Sequence, residues 1–288
     1  MTTAALPSLI PFRSRRPLPG FGLSLGLGMA WLGVVVLLPL LALAVHAAGL
    51  GSEGWLRAIH DPRVQASLKL SFTASLIAAL VALVAGGIVA WVLVRYRFPG
   101  RRILDALVDL PFALPTAVAG IALTAIYSSN GWVGRFAEDA GFKIAYTPVG
   151  IVIALVFIGL PFAVRTVQPV LEALGHEQEE AAASLGASRF TTLRRVILPE
   201  LLPALLTGFS LSFARALGEY GSVIFIAGNK PFATEIAPLL ITIRLEEYDY
   251  NGAIAIAALL LAASFLCLLA INAIPLLFAH ERQENRRG

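Results

Sequence analysis

The stretch EEAAASLGASRFTTLRRVILPE (residues 179–200) gathers charge in the middle of a chain that is otherwise strongly apolar. The spacing of Ala182, Gly186, Ser188, Thr191, Thr192 and Arg195 predicts a helix, a break at Gly186 and a second, basic helix capped by Ser188. Alone, that pattern is a helix-turn-helix, whose second helix would enter a DNA groove. What flanks it argues otherwise. Apolar runs long enough to cross a membrane stand on both sides, and the segment between them, about residues 172–200, is too short for the third helix that buries the backs of the other two. A helical pair anchored in the membrane at both ends is instead expected to transmit force, because a partner pressing on it moves two spans together.

Working outward, composition fixes the class. The chain is 58% hydrophobic and 14% charged, with a mean hydropathy of +0.80, where a soluble domain carries about a quarter charged residues. A span needs roughly 20 apolar residues. The charge gaps from Arg16 to Glu53, Lys69 to Arg95, Asp109 to Arg135, Lys143 to Arg165 and Asp249 to Glu281 each enclose at least 21 uncharged residues. A sixth apolar run begins near Leu201 and carries Arg215 and Glu219 inside it. The expectation is an all-α, polytopic protein with spans at about 22–48, 68–94, 104–127, 148–170, 201–227 and 252–279. These form one transmembrane domain, 21–280, between a short leading segment, 1–20, and a tail, 281–288.

Thirteen Lys and Arg fall on one side of this arrangement, at Arg13, Arg15, Arg16, Arg95, Arg97, Arg101, Arg102, Arg189, Arg194, Arg195, Arg282, Arg286 and Arg287, against seven on the other. The positive-inside rule therefore predicts cytoplasmic termini and a cytoplasmic 172–200 segment. The net charge of +4 needs no nucleic acid, since this placement and anionic lipid already call for it. The first apolar run is about twice a signal-peptide core and is expected to be a retained anchor. Cys267, the only cysteine, is expected to be a small buried residue.

Within the membrane, Gly208, Ser212, Arg215, Glu219 and Ser222 recur at helical spacing and are expected on one small, polar face. Charge at that depth must face a partner helix or a wet cavity, so this stripe is a candidate for the solute pathway or for a subunit interface. Pro111 and Pro115, four apart, and Pro161 are candidate kinks.

The order Glu180-Ala181-Ala182, three residues, Gly186, nine residues, then Val196, Leu198 and Pro199 resembles the EAA motif of binding-protein-dependent ABC importer permeases. The family pattern has Ile where Val196 stands, a mild exchange. The stretches RYRFPGRRILDALVDLPFALPTAVAGIAL (95–123), PFAVRTVQPVLEALG (161–175), SFARALGEYGSVIFIAGN (212–229) and RLEEYDY (244–250) resemble sulfate/thiosulfate permease subunits of the CysT (CysU) type. Molybdate permeases share a looser version of two of these blocks.

The resemblance implies a type I importer (MetI-like) fold in the bacterial inner membrane, with the EAA residues forming a coupling helix that docks into an ATPase. It implies a homologous second permease of the CysW type, a dimer of a CysA-type ATPase and a periplasmic sulfate/thiosulfate-binding protein. No cofactor or metal would be bound directly, ATP and magnesium belonging to the ATPase. The chain has no GxxxxGK[ST], HExxH or GxSxG motif. The competing readings are a permease for molybdate or another oxyanion, and a proton-coupled transporter using Glu219. A third is a membrane hydrolase drawing on His46, His60, His176 or His280, no two of which stand at ligand spacing.

Overall fold

A computed structural model describes residues 20–284. Among these every regular element is a helix: α1 (Phe21–Ala48), α2 (Gly51–His60), α3 (Pro62–Arg95), α4 (Arg101–Val108), α5 (Leu110–Ala113), α6 (Thr116–Tyr127), α7 (Trp132–Asp139), α8 (Pro148–Leu174), α9 (Glu177–Ser184), α10 (Arg189–Leu217), α11 (Val223–Ala227), α12 (Ala237–Glu246) and α13 (Tyr250–Glu284). Five of them, α1, α3, α8, α10 and α13, are long and apolar enough to cross a membrane. The predicted leading segment, with Arg13, Arg15 and Arg16, and the end of the tail, with Arg286 and Arg287, lie outside the described residues.

The chain divides after Gly49 into two compact units. In the first, α1 passes through a wider π-helical turn at Gly33–Leu37, just ahead of Pro39. A proline offers no N–H to the preceding turn, and the longer i→i+5 bonds let the helix run on. Its apolar side chains, Leu23, Trp31 and Leu41 among them, are exposed.

The second unit is built on α3, α8 and α10, each packed against the other two. Sequence explains the close approach. Ala74, Ala78, Ala82, Gly86 and Ala90 recur every fourth residue of α3 and are all buried, so one face is flat enough for backbones to meet. At Gly86 a Cβ would stand 2.7 Å from the Ala163 methyl of α8. The α3 helix starts where Asp61 accepts a hydrogen bond from the Arg63 N–H (2.8 Å), with Pro62 in the first turn. Beside this core, α12 packs on α13 and α11 on α6.

Two predicted spans are not continuous. The 104–127 run is three helices, α4, α5 and α6, broken at Asp109 and again at Leu114-Pro115. Leu114 (ψ 134°) and Pro115 (ψ 133°) are extended, as the residue before a proline tends to be. Pro111 and Pro115 therefore do not share a helical face: Pro111 opens α5 and Pro115 caps α6. Pro161, by contrast, lies buried within α8, which continues through it. The 201–227 run also breaks, because α10 ends at Leu217 and α11 starts at Val223. At its other end α10 reaches back to Arg189, so the 172–200 segment and the fifth span share one helix.

Candidate functional site

The charged segment folds as its spacing predicts. After α8 ends, three acids, Glu177, Glu179 and Glu180, occupy the first turn of α9, where the helix dipole favours negative charge. The α9 helix closes in a Schellman motif: Ala187 N–H donates to Ala182 O (3.0 Å) and Gly186 N–H to Ala183 O (2.9 Å). Gly186 sits in the left-handed region, φ +77°, with open space around it. Ser188 then caps α10, its hydroxyl accepting from Thr191 N–H at 3.2 Å. A π-helical stretch, Leu193–Ile197, lets α10 pass Pro199 without ending.

Of the motif residues, Ala182 is buried, Glu180, Ala181, Gly186 and Leu198 are exposed, and Val196 and Pro199 are half-buried. Around the turn, Leu185 (89% exposed), just past α9, and Phe190 (70%), in the first turn of α10, project outward. Sequence reasoning passed over both, although a leucine and a phenylalanine in the one charged stretch are a visible anomaly. The segment is also tied sideways. Arg95, at the last residue of α3, holds Glu179 at 2.7 Å and lies over the Trp91 ring, 5.6 Å from its centre. That contact is Coulombic rather than a directed hydrogen bond, since Glu179 Oε1 receives no well-aimed N–H. It fixes the end of α3 and the EAA helix at the same end of the bundle.

Deeper in, Arg215 and Glu219 do pair, Nη1 to Oε2 at 2.6 Å, with side chains 34% and 2% exposed. The expected continuous polar face is overturned, however. Glu219 and Ser222 lie past the end of α10, and what joins them is the carboxylate itself: Glu219 Oε1 accepts from both the N–H (2.8 Å) and the hydroxyl (3.0 Å) of Ser222. Ser212 belongs to a different contact, donating to Gly159 O of α8 at 2.8 Å. Gly208 faces Ala163 of α8, whose Cα a Cβ would approach to 3.2 Å. Glycines let the broken segments touch. A Cβ on Gly120 of α6 would stand 2.8 Å from the Ser222 Cα, and one on Gly221 would collide with Thr116.

Two ion clusters were missed from sequence because their partners are far apart along the chain. Arg165 of α8 reaches across to α4 and to the break that follows it. It binds Asp109 through two parallel bonds (2.8 and 2.6 Å), the Asp105 carboxylate (2.6 Å), the Asp105 carbonyl (2.9 Å) and Gln168 (2.7 Å). At the opposite end of the bundle from α9, Arg63 makes a bidentate pair with buried Glu235 (2.8 and 2.7 Å), and Arg244 bonds Asp61 at 3.0 Å. His46 and His60 each engage a carbonyl one turn back through Nδ1, at 2.7 and 2.9 Å. Cys267 packs at the edge of the cluster around Phe213 and Leu217.

Residues 78–279 match the family described as "Binding-protein-dependent transport system inner membrane component". The chain is 50% identical over 264 residues to the sulfate transport system permease protein CysT of Salmonella typhimurium, covering 92% of this chain and 95% of that one. It is 51% identical to the protein of the same name from Escherichia coli, over 90% and 94% of the two chains. Against that of a Synechocystis species it is 52% identical, over 84% and 85%. Among solved structures, a bacterial ABC transporter that imports the acidic polysaccharide alginate superposes with a TM-score of 0.72 at 14% identity, covering 88% of this chain and 95% of that one. The MetNI methionine transporter in an inward-facing form gives 0.53 at 18% identity, over 73% and 92%. These two likenesses concern the fold.

Proposed function

The chain belongs to the family of binding-protein-dependent transport system inner membrane components, and from that premise we propose that it is the membrane-spanning subunit of an ATP-driven importer of sulfate or thiosulfate. The substrate class rests on identity of about one half, over more than four-fifths of the chain, to relatives named as sulfate permeases. In this reading the chain is a conduit and the chemistry lies elsewhere. ATP and magnesium are bound by a dimer of a CysA-type ATPase, a second permease of the CysW type completes the pathway, and a periplasmic binding protein delivers the anion. Both termini, the Arg95–Glu179 contact and the EAA segment lie on the cytoplasmic side, in keeping with the distribution of Lys and Arg.

One observation carries the coupling role. The helix that begins at Ser188, within the EAA segment, runs without a stop into a membrane span, because the π-helical stretch carries it past Pro199. A push on α9 and on the exposed Leu185 and Phe190 is thereby delivered to α10 as a rigid displacement. Closure of the ATPase then shifts the permease pair between two folded arrangements, the ligand-bound ATPase favouring one of them. Arg215, with one edge of its guanidinium held by Glu219, is the candidate for a pathway or subunit contact.

The test uses vesicles containing this chain with its partner permease and ATPase. Labelled sulfate should enter when ATP and loaded binding protein are supplied on opposite faces. Uptake driven by a proton gradient without ATP, or uptake of molybdate in preference to sulfate, would overturn the reading.

A further inference from the structure

The short α4 helix and the loop before it point to a ligand that transport itself does not use. Along YRFPGRRILDALV (residues 96–108), Arg97 and Arg102 are exposed and Arg101 is half-buried. Among the described residues none of the three makes an ion pair or a side-chain hydrogen bond. Local sequence would supply partners, since Asp105 stands four residues after Arg101 and three after Arg102, a spacing at which helix charges pair. Arg165 of α8 takes that carboxylate instead, together with Asp109. Arg97, Arg101, Arg102 and Arg165 against Asp105 and Asp109 leave a surplus of two positive charges at this corner.

The same helix presents apolar surface outward. Leu104 and Val108 pack into the core formed with Val164, Val167 and Leu171, whereas Ile103 (67% exposed) and Leu107 (53%), four apart on the helix, are open, as is Tyr96 in the preceding loop. Arginines beside exposed isoleucine and leucine, with an exposed tyrosine in the loop before them, are the makeup of a helix lying at a membrane–water boundary. A soluble anion would satisfy the guanidiniums and leave Ile103 and Leu107 in water. An anionic phospholipid satisfies both, its phosphate against the arginines and its chains against the apolar pair. We infer that Arg97, Arg101 and Arg102, with Ile103 and Leu107, form a binding site for the headgroup of an anionic phospholipid at the same end of the bundle as the EAA helix. The inference requires only that the chain is embedded in a bilayer and is independent of which solute is carried.

The experiment is native mass spectrometry of the assembled transporter, titrated with phosphatidylglycerol and, separately, phosphatidylcholine. A basic residue near an anionic lipid surface contributes about fivefold to attraction. The triple variant R97Q/R101Q/R102Q should therefore bind phosphatidylglycerol at least about tenfold more weakly, with phosphatidylcholine binding and ATPase retention unchanged. A second variant, I103S/L107S, should weaken both lipids. Undiminished phosphatidylglycerol binding in the triple variant would overturn the proposal. So would its displacement by excess inorganic phosphate, which would mark a site for a free anion, and so would concurrent loss of the ATPase, which would mark a protein interface.

Discussion

Gly186 holds the turn between α9 and α10 for a reason of backbone and not of space. Its φ of +77° lies in the left-handed region, and no heavy atom would meet an added Cβ. An L-residue there costs about 1 to 2 kcal/mol, while asparagine tolerates the conformation better. Gly186→Ala and Gly186→Asp should leave the spans inserted but lower transport and ATPase retention severalfold, with Gly186→Asn closer to wild type. Equal behaviour of Ala and Asn would show that the left-handed turn is not what matters. At Glu219 the issue is charge. Its buried carboxylate has Arg215 on one oxygen and Ser222 on the other. Removing one member of a buried pair costs about 3–5 kcal/mol, and the one-third exposure of Arg215 reduces that to about 2 kcal/mol. In thermal unfolding of the assembled transporter, Arg215→Ala and Glu219→Ala should each destabilise more than the double variant. Additive losses would mean that the pair is not coupled.

The elements show what hydropathy can and cannot find. Continuous spans such as α3 and α8 announce themselves, because an unbroken apolar run of sufficient length has few alternatives in a bilayer. The turn at Gly186 and the Ser188 cap were equally legible, since each depends on residues within a few positions. The interruptions were not: a hydropathy window over residues 104–127 sums apolar side chains and is blind to the extended backbone at Leu114 and Pro115. The proline rule contained that signal, as Gly218 and Gly221 did for the break after Leu217. The tie that holds the broken third segment was beyond sequence, because Arg165 is 56 residues from Asp109. That tie is specific to guanidinium. Arg165 forms a two-bond fork with Asp109 and still reaches Asp105, which a lysine ammonium cannot match. Arg165→Lys should therefore raise hydrogen exchange of the backbone amides over residues 101–113 nearly as much as Arg165→Ala. Protection equal to wild type in the Lys variant would show that charge alone suffices.

At the scale of the molecule, α9 is connected to the bundle in two unlike ways. Covalently it is joined on both sides, to α8 across two residues and through the Schellman turn to α10, and through Glu179 it is held to Arg95 at the end of α3. Because α3, α8 and α10 pack on one another, a displacement of α9 reaches the three-helix core through each of its helices. Loss of the ion pair alone should leave the proposed docking surface, with Glu180, Leu185 and Phe190, in place while α3 no longer follows it. Arg95→Gln and Glu179→Gln are thus expected to retain the ATPase at wild-type levels yet reduce the stimulation of hydrolysis by loaded binding protein, and sulfate uptake with it, by several-fold. The exchange Arg95→Glu/Glu179→Arg should recover part of the loss, the recovery being incomplete because Arg95 also lies over Trp91 and that cation–π contact is forfeited. Retention and stimulation measured on the same preparation separate the cases. If the ATPase dissociates, the pair serves docking; if both single variants are stimulated normally, the covalent links to α8 and α10 carry the motion and the contact at α3 has no part in coupling.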